Sequence, residues 1–153
     1  MSKLRKVLID PRQVKIDPEL APRLDPMWFE LADKAMKGTL PVYFAAVPLV
    51  LCIPFDLDYR PDLHPIGAAF IDNTIDAWKR NEFEHVIAYP RGTWFVISDD
   101  YITLFAALQG RPDYLPCWVL GKPDNDLIRH LRGPIALEQV KTIFTGPIGV
   151  YRK

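Results

Sequence analysis

The sequence lacks an excess of either charge. Its 19 lysines and arginines balance 19 aspartates and glutamates. Nine of the basic and eight of the acidic residues lie in 1–60, so neither part is polarised. A nucleic-acid module usually carries a basic surplus to neutralise phosphates, so a nucleic-acid partner is not favoured. Cysteine is scarce, with only Cys52 and Cys117. That excludes a disulfide framework and any cysteine-based zinc spacing. Their apolar neighbours Leu51, Ile53 and Trp118 mark both as buried structural thiols. The three histidines, His64, His85 and His130, share no metal-ligand spacing. His130, beside Arg129 and near Arg132, is expected as a favourable cation at a helix C-terminus.

Long hydrophobic runs are missing too. The apolar stretch 41–53 is too short to span a membrane and is broken by Pro48. Residues 1–9 are basic and apolar, but no signal-peptide core follows them. A soluble cytoplasmic protein with no membrane partner is therefore expected. Glycine-rich phosphate loops are absent, as are nucleophile-elbow contexts around serine or cysteine and internal repeats.

What is present fits a globular domain. Of 153 residues, 49% are hydrophobic and 25% charged, enough for a core in one domain. Fifteen prolines divide the chain. A short strand is expected at 6–10, stopped by Pro11. Asp17-Pro18 and Asp25-Pro26 read as helix starts, because aspartate caps and proline suits the first helical position. Trp28, Leu31, Ala32, Ala35 and Met36 have helical spacing before Gly38. Strands are expected at 42–46 and 49–53, separated by a break at Pro48, then a loop over 54–65 and a helix over 66–81. A hairpin follows, with strands 85–89 and 93–97 around Pro90-Arg91-Gly92. A helix over 101–109, a strand over 115–120, a short helix over 126–131 and a last helix over 136–144 complete the reading. Mixed elements around a hairpin predict an α+β fold, a small mixed sheet with helices packed on it.

The segment 92–121 holds the candidate site. Ser98, Asp99 and Asp100 form a turn between a strand and a helix. Ser98 or Asp99 is expected to cap the helix, with Asp100 in its first turn complementing the dipole. Paired acids at a turn can also hold Mg²⁺ or Mn²⁺ or serve as a general base, so Asp99 and Asp100 are the catalytic candidates. A metal site would need a third acid, with Asp113, Asp56 and Asp58 available. Ser98, Tyr101, Arg111, Asp113 and Tyr114 are candidates for a ligand rim. Tyr59 and Tyr89, in a loop and at an element end, join them. Gly110 reads as the cap that ends the helix.

The order helix, strand, strand, turn, helix, strand over 66–120 resembles the ParB/sulfiredoxin-like superfamily. Phe95-Val96-Ile97-Ser98-Asp99-Asp100 is similar to its strand and turn, Phe105-Ala106-Ala107-Leu108-Gln109-Gly110 to its helix and glycine, and Leu115-Pro116-Cys117-Trp118-Val119 to its last strand. The resemblance implies a ParB-like core at 66–120, with strand and helix elements in 1–60 and helices in 121–153. In that superfamily the turn carries a glycine, then a histidine or cysteine and an arginine that bind nucleotide phosphate. Here Asp99, Asp100 and Tyr101 stand instead, and an acidic turn repels phosphate unless a metal intervenes. The resemblance therefore implies the scaffold and not nucleotide hydrolysis, and by analogy a role on a plasmid or other mobile element. The leading expectation is a non-enzymatic protein-binding or regulatory module without a cofactor, acting on a protein partner or as a homodimer. The alternatives are a metal-dependent hydrolase or nuclease using Asp99 and Asp100, and a DNA-binding regulator.

Overall fold

The computed structural model describes residues 6–7 and 22–145. The helix start expected at Asp17-Pro18, and most of the strand expected at 6–10, lie outside them. Strand β1 (Lys6–Val7) pairs in parallel with β8 (Phe144–Thr145). Helix α1 (Pro26–Met36) begins as its sequence requires. Asp25 is extended, its side chain accepts the Met27 amide at 3.0 Å, and Pro26 follows. Trp28, Ala32 and Ala35 form its buried stripe. At its end Gly38 takes φ +78°, where a side chain would be strained, and the Thr39 amide reaches back to the Lys34 carbonyl.

The other elements are β2 (Val42–Pro48), β3 (Cys52–Pro54), α2 (Pro65–Lys79), β4 (Val86–Arg91), β5 (Trp94–Ile97), α3 (Tyr101–Gly110), β6 (Tyr114–Leu120), β7 (Arg129–Arg132) and α4 (Leu137–Ile143). Six strands form one mixed sheet in the order β3-β5-β4-β6-β2-β7. The pairs β4–β5, β2–β6 and β2–β7 are antiparallel, whereas β3–β5 and β4–β6 are parallel. The fold is α+β, as expected. Pro90 lies beyond the last β4–β6 pair, Ala88 with Val119, so its missing N–H breaks no ladder there.

Strand periodicity sends alternate residues to opposite faces. Val86, Ala88, Phe95, Ile97, Leu115, Cys117 and Val119 join Leu104 and Ala107 of α3 in one core. Ile87, Tyr89, Val96 and Leu120 meet Trp28, Ala32, Val140 and Ile143 of α1 and α4 in the other. Helices therefore cover both faces, α2 and α3 on one and α1 and α4 on the other. Both cysteines are buried free thiols in the first core, and burial raises the pKa of Cys117.

The sheet must curl. Strands β2 and β3 stand four places apart, about 19 Å across a flat sheet at the usual strand spacing. Yet only the 3₁₀ turn Leu49–Leu51 joins them, and a fully extended link of that length reaches about 13 Å. Pro48 thus marks the break read from the sequence, and residues 49–51 form a turn instead of the start of a strand.

Three local expectations are corrected. Residues 126–131 do not form a helix. Arg129–Arg132 is an exposed edge strand on β2, so His130 lies in a strand and not at a helix end. Gly110 is the last residue of α3. The cap is Arg111, in the left-handed region at φ 58°, ψ 47°. Among the described residues, no helix is long and apolar enough to cross a membrane.

Candidate functional site

Strand β5 ends at Ile97 and α3 starts at Tyr101, so Ser98, Asp99 and Asp100 form the turn read from the sequence. The N-cap is Asp100, not Ser98 or Asp99 as expected, and its carboxylate accepts the Thr103 amide at 3.2 Å. Asp99 Oδ1 accepts the Asp100 amide at 2.8 Å. Both thus satisfy amides that the first turn of a helix leaves without partners. Neither is free, since each takes part in further interactions.

Ser98 points elsewhere. Its hydroxyl donates to Asp25 Oδ2 at 2.6 Å, and the Tyr89 hydroxyl donates to the same oxygen at 2.7 Å. With the Met27 amide on Oδ1, three donors surround a carboxylate that is 3% exposed. This cluster ties the start of α1 to β4 and to the end of β5. Burial, and then the hydrogen bond to the charged Asp25, raise the Tyr89 pKa well above the ordinary tyrosine value.

Tyr101 is also turned inward. Its hydroxyl accepts the Asp56 amide at 2.7 Å, and burial is the main cause pushing its pKa up to about 12. Asp56 is buried, which alone would raise its pKa. The Arg23 and Asp58 amides and the Arg23 guanidinium outweigh that and hold it below its ordinary value. So of the acids considered as a third metal ligand, Asp56 is already engaged by Arg23. Among the described residues, no three His, Cys, Asp or Glu side chains gather where they could hold a metal ion.

The other rim residues lie at the opposite end of α3, about 15 Å from the turn for ten residues at the helical rise. Arg111 is exposed, and the carbonyl of exposed Asp113 accepts the Leu49 amide. Tyr114 is half-buried beneath Arg129, whose guanidinium carbon lies 5.0 Å from the ring centroid. The structure therefore brings Ser98, Asp99, Asp100 and Tyr101 together and sets Arg111, Asp113 and Tyr114 apart. The sequence reading missed Asp25 as the polar partner that joins Ser98 to Tyr89, and Arg23 as the partner of Asp56. Asp25 was legible only as a cap, since nothing local shows that a strand residue 64 positions away and a turn residue 73 positions away would reach it.

Asp100 also lines a groove of about 460 Å³ between α2 and the start of α3. Trp78, on the last turn of α2, and Phe83, in the loop after it, stack there with centroids 6.0 Å apart and planes at 22°. Ile102 and Thr103 form the opposite wall. Phe70 stands at the rim, 54% exposed, and Ile66 one turn earlier is 57% exposed. Helical spacing by itself groups both with Ile71 and Trp78 as an inner, apolar side. Only Ile71 of α2 is fully buried, because the helix meets just α3 and the 3₁₀ turn Pro61–Leu63 closely.

No known family model matches the chain, and no curated protein matches its sequence.

Proposed function

We propose that the chain is a non-enzymatic protein-binding or regulatory module, built on a degenerate ParB/sulfiredoxin-like scaffold. The observation that carries this reading is the outer face of α2. Ile66 and Phe70 present apolar side chains to water beside a groove walled by Trp78, Phe83 and Ile102. Contiguous apolar surface of this kind marks docking sites on soluble proteins. Aromatic side chains are also the residues that anchor protein interfaces. The turn at 98–100 supports the reading from the other side. Its serine and carboxylates are spent on helix caps and on Asp25, which leaves them to hold the scaffold together.

A photo-reactive phenylalanine analogue at position 70 tests the reading. A covalent adduct with a protein partner or a second copy is expected, and it should vanish when the analogue is moved to exposed Arg91. A lone 17.6 kDa species in light scattering, together with no adduct at position 70, overturns the proposal.

A further inference from the structure

The groove also has a charge, and its sign indicates what it accepts. Its lining includes Glu82, Glu84 and Asp100, but no lysine, arginine or histidine. Glu84 makes no ion pair with any described residue. Glu82 shares Oε1 with exposed Arg80 at 3.1 Å, leaving its other oxygen available. The remaining wall is aromatic and aliphatic, with the Trp78 and Phe83 rings nearly parallel. The lining carboxylates would repel an acidic or phosphorylated ligand, and Arg80 is already engaged by Glu82. A purely apolar ligand would leave the Glu84 carboxylate without a counter-charge beside it.

Resting on the docking reading above, we infer that the groove takes a cationic amphipathic segment of a protein partner. A lysine or arginine side chain combines the two properties required. Its aliphatic stem packs on Phe70, Trp78 and Phe83 while its head meets Glu82 and Glu84. Aromatic faces attract the same cation through their ring quadrupoles. The exposed apolar surface continues past the groove to Ile66, which calls for a segment with apolar residues flanking the basic one. That length favours a peptide over a small organic cation.

The test measures anisotropy with three labelled amphipathic peptides of equal length, whose polar face carries lysine, glutamate or glutamine. The intact chain is expected to bind the lysine peptide at least about ten-fold more tightly than the glutamine peptide, about 1.4 kcal/mol. Glu82→Gln with Glu84→Gln should remove that preference and leave the glutamine peptide unchanged. Phe70→Ser should weaken both. Equal binding of all three peptides, sensitive to Phe70→Ser, overturns the cationic inference and leaves the docking reading standing. Lysine-peptide binding that survives every variant places the contact elsewhere and overturns the inference. Absence of lysine-peptide binding also overturns it, and the crosslink at position 70 then judges the docking reading separately.

Discussion

Asp25 is the residue on which most long-range order in the polar cluster converges. It accepts from Met27, Tyr89 and Ser98, so removing it leaves two buried hydroxyls and the half-buried Met27 amide without an acceptor. Each buried hydroxyl left unsatisfied costs about 1–3 kcal/mol, and the lost cap on the Met27 amide adds about 1 kcal/mol. Asp25→Ala is therefore expected to lower unfolding free energy by about 3 kcal/mol or more in a urea titration. Asp25→Asn, which keeps an acceptor oxygen, should cost about half as much. The tyrosines make a second prediction. Tyr89 and Tyr101 have folded pKa values raised above 10, to about 12 for Tyr101. The stability they confer is fully present below pH about 10 and is lost as pH climbs through the folded values. Melting temperature should thus fall between pH 10 and 12, and Tyr101→Phe should flatten the fall. At the turn, Asp100→Ala should cost about 1 kcal/mol as a lost N-cap, with Asp100→Asn nearly neutral. Equal loss in both variants would show that the carboxylate charge matters beyond capping.

At the scale of elements, α2 is set by one close approach. A Cβ on Gly67 would overlap the carbonyl oxygen of Pro61 in the preceding 3₁₀ turn. Alanine at a helix interior normally gains about 1 kcal/mol over glycine. Here the overlap is with backbone, and overpacking of that kind costs about 1–3 kcal/mol. Gly67→Ala is expected to be destabilising by thermal melting, against its helix propensity. Elements whose signals are local were legible in the sequence. Asp25-Pro26 starts α1, Gly92 sits in the hairpin turn at φ 64°, and an acidic turn precedes α3, although its cap is Asp100 and not the expected Ser98 or Asp99. Strand β7 was not legible. Its residues Arg129, His130, Leu131 and Arg132 are all exposed and show no alternation, so only pairing with β2 makes them a strand. The Arg111 cap was hidden for a similar reason. Glycine one residue earlier is the usual occupant of a left-handed cap, and here an arginine takes it.

At the scale of the whole molecule, helices on both faces of a curled sheet leave one broad face of α2 uncovered. Ile66→Ser with Phe70→Ser should change unfolding free energy by no more than about 0.5 kcal/mol, as surface changes do, while weakening binding of the lysine peptide. A large loss of stability would instead mean that these side chains belong to the core. The sequence by itself determined the α+β class, the hairpin, the Asp25 cap of α1 and the burial of both cysteines. These depend on neighbours within a few residues and on strand periodicity. Tertiary structure alone decided that the sheet curls, that Asp25 meets Tyr89 and Ser98, that 129–132 is an edge strand, and that α2 turns apolar residues outward. Each of these depends on which distant segments meet. Helical spacing shows that a face is apolar, but only the packed neighbours decide whether that face lies against the core or remains open to a partner.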